Sequence, residues 1–202
     1  MIELDHVLFD IGGVLGSNGW DREQRQAAIE RFALDAEDFQ YRHEETVGAF
    51  ESGEISLDEY LDVTVFSAPR AFTRGEFERF MFGLSTPFPD SIRVAKAVKH
   101  SGVRMATLNN ESRELNEFRI ERFGLRAIFD VFFSSCWLGV RKPTGQIYER
   151  VIGMLQAAPP RTLFIDDREQ NLAPARAVGL QTIHFRNASQ LAADLVKLGF
   201  TV

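Results

Sequence analysis

The chain has 202 residues, 45% of them apolar and 26% charged, which suits one domain, or one core carrying a modest insertion. A formal net charge of −6 with no run of Lys or Arg argues against general nucleic-acid binding, yet leaves room for a local anion site. The single Cys136 excludes an intrachain disulfide framework, and no apolar run approaches the ~18 residues of a membrane span. With no leader pattern at the start, the expectation is a cytoplasmic protein, monomer or homodimer, with neither nucleic acid nor membrane as partner.

In chain order, VLFDIGGVLG (7–16) opens as a buried strand, carries Asp10 at its end and continues with Gly12 and Gly13. The next stretch, 16–88, has no strand series. Helical periodicity runs through 21–33, 36–52 and 57–66, with Ser56 and Glu59 spaced as a capping box, and again through 74–82. Strand and helix then alternate. The runs 103–108, 128–134, 161–166 and 181–185 are apolar nearly throughout, as in a parallel sheet covered on both faces. Helical patterns at 111–123, 144–155, 169–178 and 189–199 separate and follow them. Gly102, Gly124 and Gly179 stand just past helical stretches, where a left-handed residue ends a helix. The expected fold is α/β, a doubly wound, Rossmann-like parallel sheet formed by 1–15 and 89–202. Residues 16–88 are expected to form a helical cap inserted after the first strand. The eighteen phenylalanines read as packing.

Ligands of open α/β sheets bind outside the carboxyl ends of the strands. Asp10 ends the first strand, Asn109 and Asn110 the second, Asp166 and Asp167 the fourth, and Lys142 lies in the loop GVRKPTGQIY after the third. Each alone reads as a turn former. Together they deliver carboxylates, amides and an ammonium to one edge, a set suited to phosphoryl transfer. Clustered carboxylates with oxygen-only ligands call for a hard cation such as Mg²⁺. That cation and Lys142 would neutralise a phosphate while a carboxylate attacks phosphorus. Asn109 would donate to a phosphoryl oxygen, and Gly12 and Gly13 would let main-chain N–H groups approach the anion.

FDIGGVL, LNN, GVRKP and FIDDREQNLAPARAVG, in this order and spacing, resemble the motifs of the haloacid dehalogenase superfamily, and the likeness spans nearly the whole chain. The branch it most resembles contains sugar-phosphate phosphatases and the phosphatase domain of soluble epoxide hydrolases. The resemblance implies a Mg²⁺-dependent phosphatase acting on a small phosphorylated metabolite through an aspartyl phosphate. Asp10 would be nucleophile and metal ligand, and the Gly12 carbonyl and Asp167 further ligands. Asp166 would be a ligand or a neighbour of one, and Lys142 the group that orients nucleophile and phosphate. Gly13, Asn109, Asn110 and Lys142 are the phosphate contacts, and Asn171 would support the metal's waters. Two departures stand out. Gly12 occupies the place where phosphatases of this kind carry an acid/base Asp, and Asn109 replaces Ser or Thr. The first keeps open a non-catalytic phosphate binder; metal-independent dehalogenation is disfavoured by the Asp166–Asp167 pair. Substrate choice is expected in the cap, with Asn18, Trp20, Arg42 and His43 as candidates. Trp20 reads as packing between cap and core, His43 as a solvated helical residue rather than a stand-in acid/base, and His184 as structural.

Overall fold

The computed structural model describes residues 4–202. Its centre is a parallel sheet of β1 (His6–Phe9), β2 (Arg104–Asn109), β3 (Val131–Ser134), β4 (Thr162–Asp166) and β5 (Gln181–His184), in the order β3-β2-β1-β4-β5. The chain winds outward through β2 and β3, then returns to the other side of β1. The topological switch therefore falls between β1 and β4. Phe9 lies level with Thr107 and Ile165, so Asp10, whose N–H donates to Ile165 O, emerges beside the end of β4.

Alternation along the strands divides the core. Val7, Phe9, Met105, Leu163 and Ile165 face one layer, which contains α5 (Pro89–Lys99) and α10 (Ala188–Lys197). Leu8, Ala106, Leu108 and Phe164 face the other, with α8 (Gly145–Leu155) and α9 (Glu169–Ala177). A strand buried on both faces must be apolar at every position, which is why these runs do not alternate in sequence. Gly102, Gly124 and Gly179 all take positive φ, as the sequence predicts.

Between β1 and α5 come α1 (Arg22–Phe32), α2 (Ala36–Glu51), α3 (Leu57–Thr64) and α4 (Arg74–Gly83). Capping boxes start α3 (Ser56–Glu59) and α4 (Thr73–Glu76), while Asp21 and Asp35 cap α1 and α2. These helices bury an aromatic cluster of their own, including Trp20, Phe39, Phe50, Tyr60 and Phe77, which also takes in Leu115 of α6 (Arg113–Arg122). The two connections to the sheet run side by side: Ser17 N–H donates to Thr86 O and Phe88 N–H to Leu15 O. Among the described residues no helix is long and apolar enough to cross a membrane.

Three local expectations change. The strand expected over 128–134 begins only at Val131, because pairing with β2 starts at Ala106. Ile128 and Phe129 bury their side chains as a loop, and Asp130 closes the edge by exchanging hydrogen bonds with Met105. Helix α5, with Pro89 at its first position, was not foreseen as a helix, and neither was the short α7 (Ser135–Leu138).

Candidate active site

The carboxyl ends of β1 and β4 bring Asp10 and Asp166 together around one ammonium. Lys142 Nζ lies 2.9 Å from Asp10 Oδ2, 2.7 Å from Asp166 Oδ2 and 3.0 Å from Leu108 O. All three side chains are buried. Burial raises the Asp10 carboxyl to about 7; Lys142 pulls it down, while Asp166 and Asp167 push it further up. Burial also opposes ionisation of Asp166, but Lys142, the Arg168 N–H and Asn171 outweigh it and hold that carboxyl below its ordinary range. Burial works against the Lys142 charge, and the two carboxylates more than restore it.

Asp167 completes the acidic set. Carboxylate oxygens of Asp10, Asp166 and Asp167 lie within 4.8 Å of one another. Burial, and then the Asp166 charge, raise the Asp167 carboxyl. Its Oδ1 is buried without a hydrogen-bond partner, and such an orphan oxygen is costly unless a cation meets it. His184 Nε2 lies 2.9 Å from the Asp167 carbonyl and so helps fix this turn. Gly13 has φ +76°, and a Cβ there would overlap the Asp167 carboxylate, so the turn brings these groups together only as glycine. An oxygen-only set, an orphan oxygen and carboxyls raised by burial and by one another together fit a hard divalent cation.

Not every acidic group is equally free. Both Asp166 oxygens are already occupied, one by Arg168 N–H, one by Lys142, and both by Asn171 Nδ2 at 3.0 Å. Asp166 therefore fits better as the group that positions Lys142 than as a direct ligand. Asn171 reaches Asp166 itself. Asn110 also acts on Lys142: its Nδ2 donates to Lys142 O, and its Oδ1 accepts from Lys142 N–H, both at 2.9 Å.

Asn109 departs from expectation. Its Nδ2 donates to Asn116 Oδ1 at 3.1 Å and lies 3.5 Å from Ser134 Oγ, so this amide is spent inside the core.

Above the cluster is a cavity of about 240 Å³ lined by Asp10, Gly12, Asn18, Asn110 and Lys142, with Arg119, Arg141 and Arg168 around it. Sequence reasoning missed the three arginines. Arg119 lies on α6 in a charged run that reads as a solvated face, yet it is fully buried. It forms an ion pair with Glu111 (2.9 Å) and donates to Ser17 O, tying the first connection to the sheet domain. Burial raises Glu111 to about 7 against the pull of Arg119. Arg141 pairs with Glu51 at the end of α2, and Ser135 Oγ donates to Glu51 O at 2.6 Å, so the helical insertion is docked onto the sheet next to the cavity.

The candidates in the insertion separate. Asn18 lines the cavity, and its Oδ1 lies 3.4 Å from where a Cβ on Gly12 would stand. Trp20 is buried edge-on to Phe39 and Phe77, both residues of the insertion, so it packs within the insertion's own aromatic cluster where packing between cap and core was expected. Arg42 is not at the site: it lies on the outer face of α2, paired with Asp38 one helical turn away. His43, expected to be solvated, is 6% exposed, because position 43 turns inward toward Tyr60 of α3.

The haloacid dehalogenase-like hydrolase profile matches residues 4–179. The chain belongs to the haloacid dehalogenase-like hydrolase family. It is 25% identical over 212 residues to bifunctional epoxide hydrolase 2 of Sus scrofa, covering 95% of this chain and 38% of that protein. It thus spans little more than a third of the length of that relative. It is 26% identical over 199 residues to the sesquiterpene phosphatase astK of Aspergillus oryzae, covering 95% of each chain. Among solved structures, a HAD family enzyme of Bacteroides thetaiotaomicron in complex with magnesium and inorganic phosphate superposes with a TM-score of 0.77. It is 19% identical and the match covers 93% of this chain and 98% of that one, a likeness of fold.

Proposed function

We propose that this hydrolase is a Mg²⁺-dependent phosphatase of small phosphorylated metabolites. The observation that carries the reading is the buried Lys142 ammonium held between Asp10 and Asp166, with the orphan oxygen of Asp167 alongside. Asp10 is the nucleophile. Its Oδ1 accepts the Ile11 N–H and its Oδ2 faces Lys142, so the carboxylate is held by both oxygens at the cavity wall. It attacks phosphorus and breaks the ester P–O bond, giving an aspartyl phosphate and an alkoxide that takes its proton from water; a water then attacks that phosphorus and breaks its bond to Asp10, releasing inorganic phosphate and regenerating the carboxylate. Asp10, Asp167 and the Gly12 carbonyl hold the cation, which supplies charge neutralisation on the phosphoryl oxygens. Lys142 steers nucleophile and phosphate, positioned in turn by Asp166 and Asn110. The helical insertion, 16–88, acts as the cap that closes over the cavity, and Arg168, unlike the ion-paired Arg119 and Arg141, attracts the phosphate dianion.

Gly12 leaves no side chain to protonate the leaving group. Esters of acidic alcohols need little protonation, so they suit this site better than alkyl phosphates do. The test is a panel of phosphorylated metabolites with p-nitrophenyl phosphate as reference. Phosphate release should require Mg²⁺, stop with excess EDTA and return when Mg²⁺ is restored. Release that persists in excess EDTA refutes the metal assignment, and a panel with no turnover at all favours a phosphate-binding protein.

A further inference from the structure

Beside the catalytic cavity, and sharing Gly19, Glu51 and Arg168 with it, lies a second chamber of about 490 Å³ where the helical insertion meets the sheet domain. Trp20, Val47 and Phe50 form its apolar part with His43 among them, while charged side chains, Arg25 and Glu51 included, line the rest. Resting on the phosphatase reading, this chamber receives the part of the ester that leaves as alcohol, because the phosphate itself belongs at Asp10.

Behind the apolar part of the wall, Trp20, Tyr60 and His43 form a hydrogen-bonded chain with one permitted direction. The Trp20 indole N–H can only donate, and it donates to Tyr60 Oη at 2.8 Å. Tyr60 is fully buried, and burial pushes its phenol above the ordinary range, so it keeps its proton. Of the two groups bonded to that hydroxyl, only His43 Nδ1, at 2.8 Å, can accept the phenolic proton. Burial, and secondarily the Arg25 charge, lower His43 to about 4, so near neutral pH the ring is uncharged. A neutral imidazole with Nδ1 accepting carries its proton on Nε2. Among the described residues nothing accepts from Nε2, nor is it one of the sealed, unpartnered atoms, so it is open to the chamber. This arrangement disqualifies His43 as the missing acid/base: Nε2 has no lone pair to take a proton, and an uncharged ring is too weak an acid to give one.

We infer that His43 is a specificity-determining residue, a hydrogen-bond donor of fixed tautomer that reads an accepting oxygen on the leaving group of the ester. The preferred substrates are phosphate monoesters whose alcohol has a flat or apolar body, matched to Trp20 and Phe50, and a neutral carbonyl, ether or hydroxyl oxygen set away from the phosphate. An ester with the same body and no such oxygen leaves the donor unpaired and loses its preference.

The test compares 4-methylumbelliferyl phosphate, which carries a lactone carbonyl, with 2-naphthyl phosphate, a similar fused ring system without one. Binding is measured by calorimetry in the Asp10→Asn protein, where turnover does not interfere. Adding His43→Phe should weaken the umbelliferyl ester about tenfold and the naphthyl ester less than about twofold. His43→Gln, which keeps an N–H donor, should recover most of the loss. Independently of any variant, ¹⁵N spectra of the wild-type imidazole should show Nε2 protonated at pH 7. Equal weakening of both esters, unchanged binding of the umbelliferyl ester, or an Nδ1-protonated ring overturns the assignment. Selective binding without wild-type turnover of either ester would refute the phosphatase reading and leave the His43 assignment standing; turnover with equal weakening does the reverse.

Discussion

The strand-tip site and the interior of the helical insertion are both buried and both contain polar groups, but they resolve the cost of burial in opposite ways. At the strand tips, three carboxylates meet one ammonium, and burial first, with the neighbouring carboxylates adding to it, raises Asp10 and Asp167. In the insertion, Trp20, Tyr60 and His43 form an uncharged chain in which the indole and phenol donors each find an acceptor and the imidazole N–H is left for the chamber. A buried site with unbalanced charge is poised to take up a cation and an anion; a buried site with balanced neutral groups is a rigid template. The first is suited to chemistry, and the second to selection.

The largest expected effect comes from breaking the charged site. Asp10→Asn should lower phosphatase turnover on the order of 10³-fold or more, with the far-UV circular dichroism spectrum unchanged. Wild-type turnover in that variant would refute covalent catalysis by Asp10. Smaller in scale is the change that supplies the missing side chain. Gly12 lacks positive φ, and a Cβ there meets Asn18 Oδ1 only at 3.4 Å, so Gly12→Asp is sterically admissible. It should raise alkyl phosphate turnover relative to p-nitrophenyl phosphate, by some tens-fold of the ~10²–10⁴ such groups supply. A folded, Mg²⁺-binding variant with an unchanged alkyl-to-aryl ratio would mean that water already carries the proton.

Two glycines sharpen the contrast between the regions at the level of stability. Gly13→Ala forces a Cβ onto the Asp167 carboxylate at positive φ and should destabilise the fold by ~1–3 kcal/mol while also disrupting metal binding. Gly48→Ala, inside α2 with open space around it, should stabilise by ~0.5–1 kcal/mol. Chemical denaturation of both variants measures the difference, and equal effects would mean that the Gly13 turn is not constrained as described.

The smallest effects are in pH dependence, and their signs are opposed. His43 is lowered to about 4, so as pH falls from 6.5 toward 4 the unfolded chain takes up a proton that the native ring refuses, and stability falls. Glu111 is raised to about 7, so its contribution is present below about 4.5 and is lost as pH rises toward 7. Relative to wild type, His43→Gln should therefore gain stability as pH drops through the first window, and Glu111→Gln should gain as pH rises through the second. Urea unfolding across pH 4–8 reads both slopes, and parallel curves for wild type and variant would contradict the corresponding burial.

Local pattern along the chain was enough for the α/β winding, the helical segment after β1 and the positions of Asp10, Lys142, Asp166 and Asp167 at strand ends and loops. These features are local: continuous apolar runs, helical periodicity, cap residues, and polar residues at the ends of strands. Tertiary structure decided what each polar side chain faces. Asn109 stands at a strand tip yet turns to Asn116, Asn110 serves Lys142, and Arg42 and His43, adjacent in one helix, point to solvent and to Tyr60. Arg119 is the clearest case, a charge in a polar-looking helix that becomes fully buried because Glu111 and the Ser17 carbonyl, eight and about a hundred positions away, converge on it. Side-chain direction within an element follows periodicity, but the partner that settles a buried charge comes from another part of the chain, and no local pattern encodes that meeting.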